Sequence, residues 1–544
     1  MRKLCRIWSP ILLVSLASIA ASAQSFRVQC PTSSITHPAT LHDNNSEPAY
    51  NGPTALAIPT TAPPGTSGGF LMPTANVNGA IKCQQISGGD GFSTMGDGTQ
   101  TYMFSFGPLS GLADIANGEP GTQFPEVFNT VYPGTFQPGD PATLVTAGSG
   151  PNKAPVGFTY NGAVGLSPDL DAIAHGCAAP CLDGHVDPRA IIDVGVMNGN
   201  IPAPLFAIDE DDEFFLTLTN VGMIMRPDLF EQHTVHFHGY PNASTFYDGV
   251  PDASVAINIG GSFTYYYLAP DAGTYFWHCH ITPPEHLQMG MVGQLYVRPR
   301  QNRVPVGNSL YAALQQQQLD NRTKCDSTQD ILCSNPLPVG GSTVNTATRA
   351  GTGNYAYNDG DGSTYYDVEY PLQIHGFDPN FHFVGMTFNP EEFNDMKDKY
   401  FLLNGRSYPD TVTTGPLATQ ASDSKKHFSQ PLPSIINIPV GGKALLRLSD
   451  LDVTEYQTLA SLGIPMTVIA LNAKLLRDQA GNNLYYNTNS ITLGGGESLD
   501  VILDATNTTL YPAGSVFYLY TPNLDHLSND AENFGGLMTE VRIN

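Results

Sequence analysis

Five of the 14 histidines fall in two short clusters, His233-Thr-Val-His236-Phe-His238-Gly239 and His278-Cys279-His280, and a sixth, His286, follows with Met291 beyond it. Side chains two residues apart on a strand share a face. His236 and His238 therefore aim together, as do His278 and His280, while Cys279 turns to the opposite side of its strand. Two metal sites back to back are expected. One uses Cys279 with His233, His286 and Met291, for which Met289 is the competing fourth donor, and the other uses the four remaining imidazoles. Two imidazoles, a thiolate and a thioether suit copper, because the soft sulfurs stabilise the cuprous ion while imidazole serves both oxidation states. Zinc accepts His and Cys but rarely needs a thioether, and it has no electron to pass. Sharing one stretch of backbone between the two sites makes sense if electrons enter at the Cys279 thiolate and leave through His278 or His280.

The elements that must hold these side chains are strands. With 54 Gly and 43 Pro, only 13% charged residues and many Tyr, Phe, Thr and Val, the chain reads as short strands joined by turns, an all-β protein. Residues 1–23 look like an export signal: Arg2, Lys3 and Arg6 precede an apolar run from Ile11 to Ala20, and Ala21-Ser22-Ala23 supplies a cleavage site. The run is too short to cross a bilayer, which takes about 20 apolar residues. Residues 24–189 form a Pro- and Gly-rich β region, 190–300 a β-sandwich carrying all the metal-binding candidates, 301–363 a linker, and 364–544 a second β domain. The net charge of −25 becomes −28 when the three basic residues of the leader are removed, which argues against nucleic acid and anionic membrane surfaces as partners. Of the seven cysteines beyond the leader, Cys177/Cys181, Cys325/Cys333 and Cys30/Cys83 are expected to pair in an oxidising compartment, leaving Cys279 free.

The H-x-x-H-x-H-G motif at 233–239, the H-C-H at 278–280 and the H-x-x-x-x-M at 286–291 resemble the copper motifs of the multicopper oxidase family of cupredoxin-fold proteins, which includes laccases. Met197–Pro204, Asp248-Gly-Val-Pro251 and Gly273–Trp277 are similar to segments of the family's first domain. Phe401–Gly405 and Met466–Ala470 are similar to its copper-free domain. The resemblance implies tandem Greek-key cupredoxin sandwiches. It also implies His233, Cys279, His286 and Met291 as ligands of a type 1 copper, His236 as a type 2 ligand and His238, His278 and His280 as type 3 ligands. Cys279, His278 and His280 would then carry the electron. The implied partners are a small-molecule reductant, a metal ion such as Cu(I) or Mn(II), or a redox protein, with dioxygen as acceptor.

Two features depart from that pattern. The loop between Cys279 and His286 is two residues longer than the family's usual spacing, through Pro283-Pro284. The trinuclear copper cluster of the family takes eight histidines, four from each of two domains, and this chain has one such four. His37, His42, His175, His185, His375, His382, His427 and His526 include no H-x-H pair and read as surface or core histidines. Three outcomes are open. A homo-oligomer could bring two sets of four together about a two-fold axis; the four could hold one type 2 copper in a nitrite-reductase-like enzyme; or type 1 copper alone could make an electron carrier.

Overall fold

A computed structural model describes residues 73–109, nearly all of 198–320 and of 354–544, and short stretches within 34–56 and 336–346. The expected export signal lies outside the described residues, as do Cys30, Cys177, Cys181, Cys325, Cys333 and the side chain of Cys83, and so do the pairings expected of them.

The first sandwich is built from β1 (Ile81–Thr94), β2 (Gln100–Pro108), β3 (Phe206–Asp209), β4 (Glu213–Gly222), β5 (His236–Phe237), β6 (Ser262–Leu268), β7 (Gly273–His278) and β8 (Val292–Arg298), with a short helix α1 (Pro283–Gln288) between the last two. One sheet runs β2-β1-β4-β6 and the other β3-β8-β7-β5. The two inner faces meet in one core, with Ile86, Phe104 and Phe106 from the first sheet and Phe206, Trp277 and Leu295 from the second. Trp277 stacks on Phe206 at 4.4 Å between ring centroids and on Phe106 at 5.3 Å, so one aromatic column joins the sheets next to the H-C-H residues.

This sandwich starts upstream of the boundary expected at 190. β1 pairs in parallel with β4, from Ile81 against Glu213 to Gly88 against Asn220, which places two strands of the expected 24–189 region inside the metal-bearing domain. Such pairing joins segments more than a hundred residues apart and leaves no local signal. The expected 301–363 linker is likewise partly packed. Helix α2 (Leu310–Gln317) lies in it, the Gln301 N–H bonds Asn358, and Arg303 pairs with Asp211 at 3.0 Å.

The second sandwich contains β9 (Val368–Phe377), β10 (Tyr400–Leu403), β11 (Ile436–Ile438), β12 (Lys443–Asp450), β13 (Gln457–Leu462), β14 (Met466–Leu471), β15 (Ser490–Leu493), β16 (Ser498–Asp504), β17 (Val516–Tyr520) and β18 (Met538–Ile543). Its larger sheet is centred on β14-β16-β12-β9-β10 and faces a five-stranded sheet β11-β18-β17-β13-β15. Apolar residues at every second position fill the space between, as in Ala444, Leu446 and Leu448 of β12 and Leu499, Val501 and Leu503 of β16. The fold is all-β, as composition indicates, and no helix among the described residues is long and apolar enough to cross a membrane.

The two sandwiches are joined through buried polar groups. Arg447, wholly buried on β12, bonds Glu369 at 3.0 Å and lies 3.8 Å from Asp500 and 3.3 Å from the Thr274 hydroxyl of β7. Arg298 of β8 binds the other oxygen of Glu369, and Thr274 donates to Asp500 at 2.6 Å. Removing one cation from such a network leaves carboxylates buried without compensation, which costs about 3–5 kcal/mol. Arg447→Ala is therefore expected to lose about that much in equilibrium unfolding, with a loss below 1 kcal/mol contradicting the network's role at this interface.

Candidate metal centre

Strand β7 ends at His278, and the next residues divide between two environments. Cys279 is fully buried, its N–H bonded to the Met291 carbonyl at 3.0 Å, so its sulfur lies inside the first sandwich. His233 is held by a two-way bridge with Ile257, and His286 sits on α1, whose following residues turn back so that the Met291 N–H bonds the His286 carbonyl at 2.9 Å. The Nδ1 atoms of both rings face the sulfur, His286 at 3.4 Å and His233 at 4.0 Å. Metal–nitrogen and metal–sulfur bonds of about 2.0 and 2.3 Å at trigonal angles put such donors about 3.8 Å apart. The three donor atoms thus have the spacing of ligands to one small ion, and the backbone N–H of Thr234 points at the sulfur from 3.5 Å.

Burial sets the protonation of this group. It pushes His233 down to about 3 and His286 well below its ordinary value, so both rings are neutral and their nitrogens free to ligate. The same burial pushes the Cys279 thiol up to about 11, so the thiolate forms only when a cation compensates it. Met291 and Met289 are both buried in the same core as Cys279. Phe104 meets the edge of His286 at 5.3 Å, and Glu231, missed in the sequence, brings a carboxylate oxygen to 3.8 Å from His286 Nε2.

On the other side of the strand the imidazoles gather. His236 and His278 are opposite one another in the β5–β7 pair. The Nδ1 of His236 bonds the Asp248 carbonyl at 2.6 Å, and the Nδ1 of His278 bonds the Cys279 carbonyl at 2.6 Å. Each ring is thereby held as the tautomer with Nε2 free. The Nε2 atoms of His238 and His278 are 2.9 Å apart, the separation of two metal–nitrogen bonds of about 2.0 Å at a right angle. His236, His238 and His278 form the tight set, and His280 lies beside it, 5.2 Å from His236 and 5.5 Å from His278 between centroids. Burial, then repulsion from His236 and His280, lowers His238 to about 4, and burial holds His278 well below its ordinary value.

The patch opens on a cavity of about 670 Å³ whose far wall belongs to the second sandwich. His238, His278, His280 and Phe276 line one side; Asp452, Glu455, Tyr456 and the turn Gly494–Glu497 line the other. Gly496 allows the close approach, since a Cβ there would stand 2.8 Å from His238 Nδ1. Among the described residues the remaining histidines lie elsewhere. His37 bonds Glu213, His427 packs on Phe92, His382 bonds Gln288, His526 stacks on Phe401, and His375 is buried on β9. His42, His175 and His185 are outside the described residues. The donor set fits copper at the Cys279 site. At the second site the described residues supply half the imidazoles of a trinuclear cluster, and carboxylates face them.

Residues 184–302, which span both sites, match the family model described as multicopper oxidase. This segment is similar to the domains of that family. Its relatives include laccase abr2 of Aspergillus fumigatus, 35% identical over 109 residues, which are 20% of this chain and 17% of the relative. They also include multicopper oxidase MmcO of Mycobacterium tuberculosis, 32% identical over 133 residues, 23% of this chain and 25% of the relative. The chain thus spans no more than a quarter of the length of these curated relatives. Among solved structures the blue copper oxidase of Nitrosomonas europaea aligns at a TM-score of 0.45 and 17% identity, over 85% of this chain and 86% of that one.

From outside the matched segment, β1 of the first sandwich touches the Cys279 site directly: a Cβ at Gly88 would come within 2.7 Å of His233 Cδ2. Gly88→Ala must push that ring off the sulfur or shift the strand. The expected result is weaker metal binding at the Cys279 site, read as a loss of thiolate-to-copper absorbance at limiting copper, with the His236–His238–His278 set unaffected. An unchanged copper titration would contradict the placement of His233.

Proposed function

We propose that this protein is an exported copper-dependent oxidoreductase, with His233, Cys279, His286 and Met291 holding a type 1 copper and His236, His238, His278 and His280 holding copper on the acceptor side. The observation that supports it best is the convergence of two imidazole Nδ1 atoms on a buried thiol whose two chain neighbours both belong to a second imidazole set. Copper bound in these sets would supply one-electron chemistry, drawn from a reductant at the first and delivered to an acceptor at the second. The protein's own part is to fix the path and shield it. Cys279 is covalently continuous with His278 and His280, and the hydrogen bond from His278 to the Cys279 carbonyl adds a second route. His233, Cys279 and His286 are all fully buried, so the first site is shielded from water.

The acceptor in this reading is dioxygen. A small neutral molecule enters the 670 Å³ cavity without penalty, whereas nitrite, the anionic alternative, would have to approach Asp452, Glu455 and Glu497. The reductant is a phenol-sized molecule, a metal ion or a redox protein, and the acidic surface favours cationic donors. Assembly of two copies into one eight-histidine cluster is the second reading. Loops 452–456 and 494–497 of the same chain already face the imidazoles, so a second copy's histidines would have to enter past them.

Copper content per chain, visible and electron paramagnetic resonance spectra and mass in solution test this together. Two coppers per chain in a monomer, an intense thiolate band and a type 2 signal are expected; about 2.5 per chain in a dimer would favour the shared cluster instead. One copper with no type 2 signal would overturn the oxidase reading in favour of an electron carrier. Cys279→Ser is expected to abolish the intense band while keeping the type 2 signal, and His236→Ala with His238→Ala to do the reverse. Each of these variants, the single and the double, is expected to reduce oxygen consumption at least about a hundredfold, since each removes ligands of one of the two metal sets that electrons must cross.

A further inference from the structure

Helix α1 carries His286 and ends at Gln288, whose side chain is fully buried. Its side chain bonds the second sandwich at three points. Its Nε2 donates to Asp398 Oδ1 at 2.5 Å; its Oε1 accepts from the Asp378 N–H at 3.2 Å and from His382 Nε2 at 2.7 Å. A carbonyl oxygen has two acceptor positions, and both are used. One residue earlier, Leu287 packs with Phe276, Val292 and Leu451, the last again from the second sandwich. A six-residue helix has little stability of its own, so what fixes its position is what grips its end.

The grip continues to the other metal set. Asp398 is hydrogen-bonded to Asp452, and the Thr454 hydroxyl bridges the two carboxyl groups. Asp452 lines the cavity in front of His238 and His278. The arrangement requires glycine behind it: a Cβ at Gly376 of β9 would lie 2.0 Å from Asp398 Oδ2 and 2.7 Å from Asp452 Oδ2. The pair is therefore set into the backbone of the second sandwich.

We infer that Gln288 is a positioning residue through which the second, copper-free sandwich holds His286 against the Cys279 sulfur, by way of Asp398, Asp378 and His382. The inference rests on His233, Cys279 and His286 forming a metal site. Gln288→Leu keeps the volume and removes the bonds. Asp398→Ala removes the acceptor, while Asp398→Asn keeps an oxygen for the Gln288 amide.

The test uses the full chain loaded with Co(II), reading the thiolate-to-cobalt band and the cobalt dissociation rate, with hydrogen exchange of the amides of residues 284–291 measured before loading. Gln288→Leu and Asp398→Ala are expected to shift the band, release cobalt about tenfold faster or more and exchange the α1 amides faster. Asp398→Asn is expected to behave as the unaltered protein. A Gln288→Leu protein that melts lower yet keeps the band, the release rate and the α1 protection would overturn the inference, leaving Gln288 an ordinary interdomain contact. Should that variant fail to fold, equal behaviour of Asp398→Ala and Asp398→Asn would overturn it in the same way. An unaltered protein that takes up no cobalt at Cys279 overturns the metal site itself, and the inference with it.

Discussion

Alternation along four residues, Trp277 to His280, organises the molecule. A strand sends successive side chains to opposite faces, so the tryptophan and the thiol enter the core of the first sandwich while the histidines on either side of the thiol look outward toward the second. The sulfur's neighbours are then chosen by what the core can bring to it, His233 from a bridge with Ile257 and His286 from a helix. The imidazoles' neighbours are chosen by what the other sandwich presents, which is a glycine turn and three carboxylates. A one-residue slip of β7 against β8 would exchange the two environments. The register of Trp277 against Gly293, where a Cβ would meet the indole at 2.8 Å, opposes that slip.

Much of this was legible in the sequence. The period of two and the H-x-H and H-C-H spacings were enough to predict two back-to-back sets, and His233, Cys279 and His286 do meet on one side with His236, His238 and His278 on the other. The all-β class followed from turn residues and low charge. What the sequence concealed is non-local. The parallel pairing of β1 with β4 depends on partners far apart in the chain, so the start of the first sandwich could not be read. Gln288 and Asp398 are single polar residues with no motif around them, and their meaning arises only when the two sandwiches touch. Glu497 is another lone residue whose place on the cavity wall no motif announces, whereas His526, read as a surface or core histidine, does turn to Phe401 and Gln457.

The interface between the sandwiches is unusual in how much charge it buries. Arg447, Arg298 and Asp500 are buried and the Glu369 side chain is nearly so, with the Tyr296 ring centroid 4.7 Å from the Arg447 guanidinium and 5.3 Å from that of Arg298. Such groups tolerate only the geometry that satisfies them all. The network therefore opposes sliding of one sandwich over the other beside the cavity that the imidazoles share with the second sandwich.

The junction of residues 106–109 with 198–200 carries a different consequence. The Asn198 side-chain amide bonds the Pro108 carbonyl at 2.6 Å, the Asn200 N–H bonds the Phe106 carbonyl at 3.0 Å, and Gly107 lies so close that a Cβ would sit 1.8 Å from the Asn198 carbonyl. Residues 106–109 and 198–200 are thereby held side by side on the first sandwich, although they lie far apart in the sequence. Closing a loop grows more costly by only about 0.6 kcal/mol for each doubling of its length, so the length of chain between two such ends weighs little on the sandwich they close.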